Sequence, residues 1–129
     1  MTNSDCADSF SLEAERCLLG SILLDNTVLR EVVMLLAKED FQLDAHRQVY
    51  GVMRDLHSRG EPIHLAGLAA EISHLEEHQA AGGSGFLAEL AGSVPHAANG
   101  KYYAEVVREK SIERQIRRCL HDDREDTVA

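Results

Sequence analysis

The sequence predicts an all-α fold, a compact bundle of about six helices of which the last is long. Three observations carry this expectation. Apolar residues recur at helical spacing along nearly the whole chain, and no stretch alternates convincingly at period two. Breaks containing Gly, Pro, Asn or Asp cut the pattern into helix-length pieces. With 129 residues, 44% apolar and 27% charged, the chain suits one domain with one core. We place that domain at residues 11–120, between a flexible tail at 1–10 and a frayed or disordered tail at 121–129.

The elements follow in order. Ser11 is read as the N-cap of the first helix, with Glu13 and Glu15 in a first turn that the helix dipole favours. The run CLLGSILL, residues 17–24, is apolar nearly all round, which marks a helix buried on several sides. Asp25-Asn26 interrupts it, and Asn26 is read as the cap of a second helix through TVLREVVMLLA. KEDF is a short connection with Phe41 as an apolar plug. Asp44 is read as the cap of a third helix whose Val49, Tyr50, Met53 and Leu56 share a face. SRGEP ends that helix, since Gly60 suits a left-handed position and Pro62 cannot continue it.

The fourth helix shows the clearest stripe, with Leu65, Leu68, Ala69, Ile72 and Leu75 on one side. GGSG separates it from a fifth, in which Leu87, Leu90, Ala91 and Val94 face inward. Asn99 then caps a long last helix, KYYAEVVREKSIERQIRRCL.

Charge and cysteine content narrow the function classes. The net charge is −9. Residues 1–100 carry six Lys/Arg against fifteen Asp/Glu, and residues 101–118 carry six against three. An acidic body is a poor partner for phosphate backbones, and the basic stretch reads as the solvated side of one helix. Little direct nucleic-acid binding is expected. Cys6, Cys17 and Cys119 are odd in number and scattered, which favours a reducing cytoplasm over a disulfide framework. No apolar run approaches the ~18 residues that span a bilayer, and the start lacks the basic flank and apolar centre of a secretory signal.

One stretch invites a metal reading. In HLEEH, residues 74–78, His74 and His78 lie four apart with Glu77 beside the second. On a helix this is the H-x-x-E-H spacing in which two His hold zinc and the Glu handles the proton of its water. The competing reading is the polar end of an amphipathic helix, which needs no metal. The glycines of GGSG make no P-loop, because Phe86 and Leu87 follow where Lys and Ser/Thr would be required. No G-x-S-x-G is present either.

Five segments in unbroken order resemble the N-terminal domain of the bacterial replicative DNA helicase, the DnaB family. SLEAERCLLGSILLD resembles the S-x-E-A-E…L-G…L-D opening, and EDFQLDAHRQVYGVM the E-D-F…A-H segment. RGEPIHLAGLAAEI, GGSGFLAELAGSVPHAAN and YYAEVVREKSIERQIRR resemble the three segments that follow. Together they cover roughly residues 11–118. His64 stands where the family usually has Asp, so the fourth helix is expected to lack a good N-cap, worth roughly 1 kcal/mol. Gly100 after Asn99 is expected to loosen the start of the last helix.

The resemblance implies a non-catalytic interaction domain. In the family such domains ring one face of a hexamer, pair through a helical hairpin and dock the C-terminal domain of DnaG-type primase. This chain shows the first hairpin arm, from about Asn99 to Leu120, and not the second arm, the linker or the motor domain. ATP and Mg are therefore expected only for the motor. The family has no zinc site at HLEEH. Glu13 and Phe86 are the candidate primase contacts, and Ile112, Ile116 and Leu120 the candidate self-association residues. Two other readings stand beside this one: a small zinc hydrolase using His74, Glu77 and His78, and a stand-alone DnaB-like adaptor without a motor.

Overall fold

A computed structural model describes the backbone of residues 3–73, 83–92 and 99–128, and side-chain surroundings for residues 10–73, 86–92 and 99–120. Among the described residues, six α-helices follow in order: α1 (Asn3–Leu24), α2 (Thr27–Val32), α3 (Asp44–Ser58), α4 (Leu65–Ser73), α5 (Gly83–Ala91) and α6 (Gly100–Val128). A 3-10 turn at Lys38–Asp40 precedes α3, and the described residues contain no strand. The all-helical expectation holds.

The central element is α1, and its sequence explains why. Cys17 through Ile22 are all buried, and a helix apolar on every side is stable only when it is surrounded. Along its length lies α6, while α2, α3 and α5 close the remaining sides and α4 bridges α3 and α5. Leu18, Leu19 and Ile22 of α1 meet Val49, Tyr50 and Met53 of α3 in one core, completed by Leu87 and Leu90 of α5 and Val107 of α6. Each such side chain contributes about 1.5–3 kcal/mol by leaving water. Phe41 is the expected plug, fully buried with its ring 4.7 Å from that of Tyr50. The Tyr50 hydroxyl donates to the Leu36 carbonyl at 2.9 Å. Burial pushes this phenol up to about 12. Gly60 has φ +73°, the left-handed position expected at the end of α3.

The helix starts differ from expectation, and the differences are instructive. Ser11 does not cap α1; it lies inside that helix, buried, with α1 beginning at Asn3. Glu13 and Glu15 are accordingly mid-helix, and the dipole argument for them fails. The tail from 121 likewise continues as helix to Val128. Asn26 has helical backbone angles and makes no cap bond. Its amide instead donates to the carbonyls of Ile22 and Ile63 and its oxygen accepts the Ile63 N–H, pinning the α3–α4 connection to α1. Asp25 takes the capping role, accepting the Thr27 hydroxyl at 2.6 Å and the Thr27 N–H at 3.0 Å. These bonds hold its carboxyl below the ordinary range.

Two apolar stretches also depart from the reading. The second helix stops at Val32, because the chain turns at Val33–Leu35 to bring Leu36 and Phe41 into the core. Met34 is left 90% exposed at that turn. Leu68 and Ile72 of α4 are buried as expected, whereas Leu65 at its first position is exposed. Leu75, Val94 and the HLEEH stretch lie outside the described residues.

Candidate functional site

The site begins with a polar group in an apolar helix. Glu15 of α1 is 0% exposed, and a buried carboxylate is costly unless its oxygens are satisfied. Here they meet the start of α3. Oε2 accepts the Gln42 N–H at 2.7 Å and, at a long 3.5 Å, the Ser11 hydroxyl. Oε1 lies 3.5 Å from the Leu43 N and 2.8 Å from Nδ1 of His46. The residue before α3 is Leu43, which has no side-chain acceptor, and Asp44 is already helical. The carboxylate from α1 therefore ties down Gln42 and Leu43, the two residues that lead into α3, rather than the N–H groups that Asp44 was expected to serve.

His46 sits in the first turn of α3, buried against Glu15. Its ring stacks on Phe86 of α5, with centroids 5.9 Å apart and planes at 26°. Phe86 is half-buried at the edge of the core, as its offset from the Leu87–Leu90 row predicts. Above these rings lies an open pocket of about 370 Å³, walled by Leu12, Glu13 and Arg16 of α1, Leu43 and His46, and Phe86, Glu89 and Leu90 of α5. Glu13 and Phe86, singled out separately in the sequence, thus face one hollow. Its lining joins apolar side chains to the exposed charges of Glu13, Arg16 and Glu89.

A second hollow of about 200 Å³ lies on the other side of Glu13, between α1 and α6, lined by Phe10, Ala14, Cys17, Tyr102, Tyr103 and Val106. Burial, and then the Glu13 carboxylate, push the Cys17 thiol up, so it is no poised nucleophile. The second cysteine with a described side chain, Cys119, is exposed and free.

A second polar cluster holds α6 to the body. Asp40 is buried, and its Oδ1 accepts from Arg108 at 3.0 Å and from the Ser111 hydroxyl at 2.7 Å. Its Oδ2 accepts the Ala37 N–H at 2.8 Å, closing the 3-10 turn. Arg114 donates to the Asp40 carbonyl at 2.7 Å and reaches the Ser11 hydroxyl at 3.4 Å. Alongside and beyond this lock, Ile112, Ile116 and Leu120 are 40%, 55% and 59% exposed. The structure leaves these candidate self-association residues uncovered and apart from the pocket.

Sequence reasoning missed Glu15, His46 and Asp40 as partners. The available signal was a charged residue embedded in an apolar run, together with the paired E-A-E and A-H segments. Among the described residues, no group of three or more His, Cys, Asp or Glu is placed to hold a metal ion. No helix in them is long and apolar enough to cross a membrane.

The order of the helices is the fold of a known class. A model of the DnaB-like helicase N terminal domain matches residues 7–109, and the chain belongs to that family. Its relatives are replicative helicases. It is 41% identical over 106 residues to the replicative DNA helicase DnaB of Geobacillus stearothermophilus, a match covering 82% of this chain and 23% of that one. The chain therefore spans about a quarter of that relative's length. The crystal structure of the N-terminal domain of DnaB helicase from Mycobacterium tuberculosis superposes with a TM-score of 0.88 at 35% identity, covering 92% of this chain and 86% of that one. A second similar structure is that of a DnaB-like replicative helicase, described with its interactions with primase. It gives a TM-score of 0.77 at 29% identity, covering 90% of this chain and 27% of that one.

Proposed function

We propose that this chain is a non-catalytic interaction domain of a replicative DNA helicase, working in the cytoplasm. In this role it contributes to a collar at the N-terminal face of the helicase assembly and docks the C-terminal domain of a DnaG-type primase. One observation carries the docking reading. Glu13 and Phe86, from α1 and α5, line a single pocket of about 370 Å³ in which apolar side chains lie beside the exposed charges of Glu13, Arg16 and Glu89. An apolar centre framed by charge is the anatomy of a protein-binding surface, and a half-exposed aromatic is a common anchor in one. The similar helicase structure described with primase supports the choice of partner.

ATP hydrolysis and strand separation belong in this reading to a motor domain of the whole helicase, with ATP and Mg as its ligands. The domain itself needs no metal, and elemental analysis of purified protein should find no stoichiometric zinc. One zinc per chain, lost on His74→Ala, would favour the hydrolase reading instead.

The docking test is calorimetric titration with the primase C-terminal domain. Phe86→Ala should weaken binding by ~1–3 kcal/mol while the helical circular dichroism is retained. Wild-type affinity in that variant would remove the pocket from the interface.

A further inference from the structure

No partner can touch Glu15, which is wholly buried, yet it is only one side chain away from the aromatic wall of the pocket. Accepting the docking reading above, we infer that Glu15 and His46 are positioning residues of that pocket. The buried carboxylate fixes the imidazole, and the imidazole fixes the Phe86 ring in the wall.

The geometry separates this role from simple helix capping. Capping α3 requires acceptors for its own first N–H groups, whereas Glu15 Oε2 serves the N–H of Gln42, two residues before the helix, at 2.7 Å. The other oxygen is spent mainly on His46, 2.8 Å away against 3.5 Å for the Leu43 N. An apolar side chain at position 46 would fill the core without requiring a buried acceptor. What the imidazole adds is a flat, oriented face. A hydrogen bond from a ring nitrogen to an immobile carboxylate sets both the position and the plane of the ring. Phe86, at the edge of the core, has solvent on one side and could otherwise sample several rotamers. Among the described residues, His46 is the ring stacked on it. The face that holds Phe86 is thus oriented from α1, which three helices separate from α5 in the chain.

A cap alone would affect stability and nothing else. A positioning pair must alter Phe86 in protein that is still folded. The chain has three phenylalanines, so its ring signals are countable by NMR in protein made with ¹³C-phenylalanine. The Phe86 signal is assigned by its loss in Phe86→Ala. In His46→Gln, which keeps a donor for Glu15 but no ring, the Phe86 signal should shift or broaden while the signal of the core residue Phe41 stays in place.

Titration with the primase C-terminal domain should show a loss of roughly tenfold for His46→Gln, and Phe86→Ala combined with it should be no weaker than Phe86→Ala alone. An unmoved Phe86 signal, or losses that simply add, would overturn the inference. Should His46→Gln fail to fold, Glu15→Gln is read by the same two measurements. If both variants unfold, the pair serves stability alone and the inference falls. Absence of primase binding in the wild type would remove the docking reading instead, and the NMR comparison on the free chain would still decide the positioning role.

Discussion

A single imidazole shows how far residue type alone can mislead. His64 occupies a position where Asp would be the ordinary helix cap, and histidine is not among the favoured capping residues. Yet its Nδ1 accepts the Gly67 N–H at 3.1 Å, which is the bond that an Asp would make. Gly67 makes this possible. A Cβ at that position would lie 2.9 Å from Cε1 of the His64 ring, so a larger residue would displace the ring from the helix end. The expected loss of a cap is therefore wrong, because the neighbour three residues on was not considered. His64→Ala should lower stability by about 0.5–2 kcal/mol, read from the urea midpoint at unchanged slope. A variant as stable as the wild type would show that the bond contributes nothing.

At the scale of elements, Gly100 reverses another expectation. It begins α6, where a glycine should weaken a helix by ~0.5–1 kcal/mol relative to alanine. The structure places it against α2, and a Cβ there would lie 2.6 Å from Cγ1 of Val28. Gly100 is thus the point at which two helices touch. Gly100→Ala should destabilise by roughly 1–3 kcal/mol despite the better helix propensity of alanine. A thermal melt showing a stabilised variant would refute this, and adding Val28→Ala should recover part of the loss.

What was legible in the sequence follows from the same contrast. The buried face of α3, the all-round burial of α1, the Phe41 plug and the Gly60 stop are local patterns, written in spacing and side-chain type. The Glu15–His46 bond, the Asp40 lock and the tether from Asn26 to Ile63 join segments 31, 68 to 71 and 37 residues apart. No window along the chain contains both ends of such a bond. Polar residues committed to distant partners therefore looked like local caps, as Ser11 and Asn26 did. The pocket was half legible: its two exposed walls, Glu13 and Phe86, were named, while the buried pair beneath them was not.

For the whole molecule, the uncovered side of α6 sets the association behaviour. Ile112, Ile116 and Leu120 recur every fourth residue, and all three are exposed. One narrow stripe on one helix buries far less than the ~1,200–2,000 Å² of a stable interface. Sedimentation of the 129-residue chain should therefore show monomer with at most a weak, concentration-dependent dimer. Ile116→Glu should abolish any dimer without altering the melting temperature. A tight hexamer from this chain alone would contradict the expectation. The acidic body adds mutual repulsion between copies, which salt would relieve.

The Asp40 lock has a mechanical consequence. Arg108, Ser111 and Arg114 grip one short turn, and α6 continues from there to Val128. At 1.5 Å per residue, the helix beyond Arg114 projects by about 20 Å. The fastened turn is then a fulcrum and the free helix a lever arm. A tilt of about 10° at the fulcrum carries the far end through about 3–4 Å, by the same helical rise. Ser11, which Arg114 also reaches, is one turn along α1 from Glu15, so the fulcrum is tied to the helix that carries the buried carboxylate.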